Sequence, residues 1–132
     1  MNEPITLMLI DDDEDDIKLF VESAKEVDAD IKCITAKDGL NGLEYLKNEL
    51  NPLPDYIFLD LRMPKISGHK CIEEIKKIKR LSNIPVFVYT TSTDKDDIKS
   101  LEEKGAVMFI SKPTDPGEIY YLLSSIVGEK WG

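Results

Sequence analysis

Tyr56-Ile57-Phe58-Leu59-Asp60-Leu61-Arg62-Met63-Pro64 carries four apolar residues into an acid and then into a proline turn. A bounded apolar run of that length reads as a buried strand, and Pro64 marks the loop beyond it. Three other runs have the same shape. Leu7-Met8-Leu9-Ile10 meets Asp11-Asp12-Asp13, Val86-Phe87-Val88-Tyr89 meets Thr90-Thr91, and Val107-Met108-Phe109-Ile110 meets Ser111-Lys112-Pro113. In a parallel sheet all four run ends share one edge, the edge at which open α/β folds bind ligands. Three carboxylates, a hydroxyl and an amine then converge there.

Helical spacing fills the intervals. Ile17, Phe20, Val21, Ala24 and Val27 follow the first run, and Leu40, Leu43, Leu46 and Leu50 follow a further strand expected over 31–35. Ile72, Ile75 and Ile78 carry the next stripe, Ile98 and Leu101 another, and Ile119, Leu122, Leu123, Ile126 and Val127 the last. Asp38 and Asp94 suit N-caps, Gly105 suits a C-terminal stop, and Thr114-Asp115-Pro116 opens the final helix. Lys76, Lys77, Lys79 and Arg80 complement a helix C-terminus and need no nucleic-acid explanation. The pattern is (βα)₅, and right-handed crossovers make it a parallel sheet with helices on both faces. It fits one domain, 1–132, with a core over about 4–128.

Of the 132 residues, 42 % are hydrophobic, enough for a proper core. No apolar run approaches a membrane span, and no basic-then-apolar leader opens the chain. Cys33 and Cys71 form no ligand-like or redox-like pair, which fits reduced thiols in the cytoplasm. The net charge of −9 is confined to residues 1–30, where eleven acids face two lysines; the other 102 residues balance fifteen against fifteen. Such a chain lacks the basic face that phosphate backbones require, and its acidic end favours a cation.

Within Asp11-Asp12-Asp13-Glu14-Asp15-Asp16, the last four read as capping and dipole compensation of the following helix. Asp11 and Asp12 sit where the strand ends, and Asp60 ends its neighbour. Two like charges about 4 Å apart repel by roughly 4 kcal/mol at an effective dielectric near 20. Such a cluster holds either a proton or a cation. Hard carboxylate oxygens without imidazole or thiolate favour Mg²⁺, with Mn²⁺ also suited to the ligand type. Asp60, the carboxylate that closes an apolar strand in mid-chain, is the candidate nucleophile towards phosphorus, giving an acyl phosphate. Lys112 is the amine that offsets charge on the phosphoryl oxygens. A cis Lys112–Pro113 bond is one way to turn that amine inward. Thr90 offers a hydroxyl to the same oxygens. The single histidine, His69, makes histidine catalysis a poor candidate.

These residues, in this order, resemble the receiver domains of two-component response regulators. The likeness spans the chain: the acidic pair after the first strand, Leu59-Asp60-Leu61-Arg62-Met63-Pro64, Ser67-Gly68, Thr90, Gly105-Ala106 and Lys112-Pro113. The resemblance implies a flavodoxin-like sheet of order 2-1-3-4-5. It implies that Asp60 accepts a phosphoryl group from the phosphohistidine of a sensor histidine kinase or a histidine phosphotransfer protein. It further implies Mg²⁺ on Asp11, Asp12, Asp60 and the backbone carbonyl of Arg62, with Lys112 paired to the phosphoryl oxygens. Thr90 and Phe109 become the switch pair, remodelling a docking face that includes Phe109, Tyr120, Tyr121 and Lys99. Arg62 and Ser92 line the expected approach of water, where variation in the family accompanies different phosphoryl lifetimes, and the extra bulk of Thr91 narrows access to Asp60. Thr91 departs from the small residue, typically Ala, found beside Thr90.

Rival readings share parts of this pattern. A flavodoxin needs hydroxyls and amides after the first strand, where this chain places carboxylates that repel phosphate. An Asp-nucleophile phosphohydrolase needs a second acid near Asp60 and a cap, whereas Arg62 occupies the partner position and no cap-sized insertion exists. A pseudo-receiver, used for protein contact without phosphorylation, would not need the full residue set. The expectation is therefore a stand-alone phosphorylatable receiver, with Gly128-Glu129-Lys130-Trp131-Gly132 as a tail. Its output runs through protein contact or a relay to an unnamed target, as a monomer or a phosphorylation-dependent dimer, without nucleic acid or membrane insertion.

Overall fold

The computed structural model describes residues 4–91, 94–113 and 115–128. Among these, five strands alternate with five helices: β1 (Thr6–Ile10), α1 (Glu14–Val27), β2 (Lys32–Ala36), α2 (Gly39–Lys47), β3 (Tyr56–Leu59), α3 (Gly68–Lys77), β4 (Val86–Thr90), α4 (Lys95–Glu103), β5 (Met108–Ser111) and α5 (Pro116–Val127). All strand pairs are parallel, and the sheet order is β2-β1-β3-β4-β5, as anticipated. Chain direction across the sheet reverses between β1 and β3, the crevice at which such folds bind ligands.

Strand alternation sorts the core into two layers. Leu7, Leu9, Phe58, Phe87 and Tyr89 face α1 and α5, where Phe20, Ala24, Ile119 and Leu123 pack. Met8, Ile10, Ile57, Leu59, Val86 and Val88 face the other helices, where Leu43, Leu46, Ile72, Ile75 and Leu101 pack. Phe58 is the centre of the first layer. Its ring stacks on Phe87 with centroids 5.1 Å apart and meets Phe20 edge-on at 5.0 Å. These aromatic contacts fix α1 against the sheet.

Helix ends follow local chemistry. Asp13 caps α1 by accepting from the backbone N–H groups of Asp15 and Asp16, and Asp38 caps α2 by accepting from Asn41. Asp94 and Asp115 cap α4 and α5, the latter with Pro116 at its first position. At the end of α4, Gly105 takes φ 110° while its N–H bonds Glu102 and that of Ala106 bonds Leu101. That is a Schellman stop, which favours a residue without Cβ.

Three details correct the sequence reading. The second strand starts at Lys32 and ends at Ala36, one residue later than expected, with Ile31 buried just before it. Leu50 does not join the α2 stripe, because the helix ends at Lys47 and Leu50 is 92 % exposed. The cause is polar: Asn48 Oδ1 accepts the Leu50 N–H, and Arg80 donates to the carbonyls of Leu46 and Asn48. α3 likewise stops at Lys77, so Lys79 and Arg80 lie beyond it. Lys76 donates to the carbonyls of Ser82 and Ile84, giving that basic cluster a structural task at loop and helix ends. No described helix is long and apolar enough to cross a membrane.

Candidate functional site

Sheet register delivers the site. Ile10 of β1 pairs with Leu59 of β3, so Asp11 and Asp60 emerge side by side, tied by the Asp60 N–H to the Ile10 carbonyl at 3.0 Å. Thr90 pairs with Ser111, and the next N–H, that of Lys112, bonds the Thr90 carbonyl at 2.9 Å. Asp11 is fully buried, Asp60 is 6 % exposed and Thr90 1 % exposed, whereas Asp12 lies open to solvent. Carboxylate oxygens of Asp11, Asp12 and Asp60 come within 4.8 Å of one another.

Lys112 reaches this cluster across a Lys112–Pro113 bond that is trans, so a cis bond is not what turns the amine inward. The strand end suffices. Its Nζ donates to Asp60 Oδ2 at 3.2 Å and to Asp16 Oδ2 at 2.8 Å, and stands 2.7 Å from Asp11 Oδ2. Burial works against the ammonium's charge, yet the close carboxylates of Asp11, Asp16 and Asp60 hold its pKa above the ordinary lysine value. Tyr89 lies beneath it, ring centroid 5.8 Å from Nζ. Burial pushes the Tyr89 phenol up to about 12, so the ring stays neutral beside the acids.

Asp11 shows what the site can hold. Its Oδ1 accepts the Asp13 N–H at 2.9 Å. Its Oδ2 is buried without a hydrogen-bond partner, since Lys112 approaches closely but outside hydrogen-bond geometry. Burial, only partly offset by Lys112, raises its pKa to about 6. A buried oxygen with unspent acceptor capacity, facing two further carboxylates, has the donor chemistry of a hard divalent cation's ligand set.

The other anticipated residues fall as follows. Arg62 is exposed, and its N–H points to Asp60 Oδ1 at 3.4 Å. Thr91 is exposed at the end of β4, and Ser92 lies outside the described residues. Phe109 is half-buried against the layer under α4, and a groove lined by Ile98, Glu102, Met108 and Phe109 runs between α4 and β5. Tyr121 is 74 % exposed and meets the half-buried Tyr120 edge-on at 5.5 Å. Lys99 is exposed on α4.

Two residues carry more than the sequence reading assigned. Asp16, read as dipole compensation, bonds Lys112. It stands one turn before Phe20 on the face of α1 that packs on the sheet, and that spacing was the available signal. His69 of α3 accepts from Lys104 at Nδ1 (3.2 Å) and contacts Asp97 of α4 through Nε2 (3.0 Å), while Lys104 also pairs with Glu73 at 3.1 Å.

Known proteins bear the same pattern. The family model of the response regulator receiver domain matches residues 7–124. The response regulator Rcp1 of Synechocystis sp. is 31 % identical over 129 residues, covering 95 % of this chain and 88 % of its own. The probable methanogenesis regulatory protein FilR2 of Methanothrix harundinacea is 31 % identical over 114 residues, covering 84 % and 74 %. The Mn(2+)-bound form of Rcp1 superposes with a TM-score of 0.83 over 93 % of this chain and 91 % of that one, at 31 % identity. The phosphorylated cyanobacterial phytochrome response regulator RcpA superposes with a TM-score of 0.86 over 94 % and 91 %, at 29 % identity.

Proposed function

This chain belongs to the response regulator receiver domain family, and on that premise we propose that Asp60 is its phosphoacceptor. One observation carries the reading: a nearly buried carboxylate bonded to Lys112, beside an Asp11 oxygen that has no hydrogen-bond partner. Family membership implies a histidine kinase or histidine phosphotransfer partner. An Asp60 oxygen attacks the phosphorus of the partner's phosphohistidine and the P–N bond breaks. The imidazole leaves with the electron pair and takes up a proton, and an acyl phosphate remains on Asp60. The domain catalyses only this acceptance and the later hydrolysis of the acyl phosphate, in which water attacks phosphorus, inorganic phosphate leaves and the Asp60 carboxylate is regenerated.

Asp11, Asp12 and Asp60, with the Arg62 carbonyl, would hold Mg²⁺; Mn²⁺ suits the same oxygens, and the Mn(2+)-bound form of Rcp1 supports a divalent cation. When bound, the cation offsets charge on the phosphoryl oxygens during transfer. Lys112 then exchanges its Asp60 contact for a phosphoryl oxygen, and Thr90 donates its hydroxyl to another. A phosphoryl group adds about −1.5 to −2 charge and three acceptor oxygens, so contacts that exist only afterwards bias the fold between two states. Thr90 and Phe109 transmit that bias to the α4–β5–α5 face, where a protein target docks, with Lys99, Tyr120 and Tyr121 at its surface. Arg62, Thr91 and Ser92 set access of water to the acyl phosphate. The protein acts as a monomer or a phosphorylation-dependent dimer. Treatment with acetyl phosphate and Mg²⁺, hydride reduction of the acyl phosphate and peptide mapping tests the assignment. The reading requires the mark on Asp60; a mark on another carboxylate contradicts it.

A further inference from the structure

We propose that Asp16 is a positioning residue of this site: its carboxylate holds the Lys112 ammonium towards α1, so that Lys112 does not contend with a cation for Asp11 and Asp60. The proposal rests on the receiver reading above. Lys112 makes two aligned hydrogen bonds, and the shorter, at 2.8 Å, goes to Asp16 and not to the phosphoacceptor. Asp11 stands 2.7 Å away but off the hydrogen-bond direction. Of the three acids around Nζ, Asp16 is the one outside the carboxylate cluster of Asp11, Asp12 and Asp60.

The anchor is rigid. Asp16 sits in the first turn of α1, one turn before Phe20, which is fully buried against Phe58 and Tyr89. The pair is sheltered, with Lys112 8 % and Asp16 33 % exposed in their side chains. The Tyr89 ring closes another side of the ammonium. Charge-assisted bonds in such partial shelter hold a flexible lysine in one place. Without Asp16, the ammonium turns wholly to Asp11 Oδ2 and Asp60 Oδ2. Those are oxygens that a cation and a phosphorus atom must reach.

The test pairs Asp16→Ala and the isosteric Asp16→Asn with Lys112→Ala, using the full chain, Mg²⁺ and acetyl phosphate. In either Asp16 variant the Mg²⁺ concentration giving half-maximal phosphorylation rises about fivefold to tenfold, a size usual for contacting residues. The same change made on Lys112→Ala adds nothing, and Asp16→Glu recovers part of the loss. In the metal-free protein, the ¹H–¹⁵N resonance of the Lys112 ammonium at low temperature is visible in the wild type and moves in Asp16→Ala, where it gains stronger hydrogen-bond correlations to the carboxylate carbons of Asp11 and Asp60. An unchanged Mg²⁺ requirement, or an equal rise in the Lys112→Ala background, overturns the proposal. If the wild type takes no phosphoryl group, the receiver reading fails by itself. The ammonium resonance then decides alone, and a wild-type shift with wild-type correlations in Asp16→Ala overturns the positioning role.

Discussion

Asp11 and Gly68 show how single residues set the site's chemistry. Asp11 has a pKa raised to about 6 because burial penalises its charge, so a proton and a cation compete for it. Mg²⁺ affinity measured by calorimetry falls between pH 7.5 and 5.5, approaching about tenfold per pH unit once below the pKa. In the metal-free protein the sign for stability is opposite to that of an acid whose pKa the fold lowers. The folded state binds more protons than the unfolded state between the ordinary value of 3.8 and about 6, so acidification across that window stabilises it. An affinity flat in pH contradicts the assignment of Asp11. Gly68 begins α3 directly under Asp60, where a Cβ would stand 2.8 Å from the Asp60 carbonyl oxygen and 2.8 Å from Leu61 Cα. Those are backbone atoms with little room to yield. Gly68→Ala therefore costs about 1–3 kcal/mol in urea unfolding, and a neutral result means the loop moves freely. At this scale Asp11, Asp12, Asp60, Thr90 and Lys112 were legible because each ends an apolar run. Asp16 was not, because a helix-capping explanation already sufficed for an acid in a first turn.

At the scale of elements, caps were easier to read than lengths. Asp13, Asp38, Asp94 and Asp115 each accept a backbone N–H at a helix start, a local bond that the sequence displays. The end of α2 depends on Arg80, which reaches its last carbonyls from beyond α3, so no local pattern reveals it. The strap between α3 and α4 is also non-local. With Nδ1 accepting from Lys104 and Nε2–H donating to Asp97, neutral His69 satisfies both partners. α4 otherwise buries only Leu101 fully, and β5 beside it exposes Met108. His69→Ala therefore accelerates amide hydrogen exchange in α4 by about tenfold while α1 and α5 keep their rates. Equal acceleration in all three helices shows general destabilisation instead, and no change removes the strap from the account.

For the molecule as a whole, the parallel order β2-β1-β3-β4-β5 follows from short connections and handed crossovers, which leave few arrangements for five βα units. That order places β1, β3, β4 and β5 side by side, and with them the acids, the hydroxyl and the amine. Sheet topology thus does the work of gathering residues from Asp11 to Lys112, and it explains why the site could be read before the fold was seen. Six of the eleven acids of residues 1–30, from Asp11 to Asp16, gather at the same edge, at the end of β1 and the start of α1. Thr91, expected to narrow access to Asp60, and Tyr121, expected on the docking face, are both exposed, and their roles depend on water and partners that the chain's own contacts do not encode. The central claim is Mg²⁺-dependent phosphoryl acceptance at Asp60, and intact mass after incubation with acetyl phosphate tests it most directly. The account predicts the mass of one added phosphoryl group on the wild type with Mg²⁺, and none without Mg²⁺ or in Asp60→Asn. A gain that persists in folded Asp60→Asn, or no gain in the wild type, contradicts it.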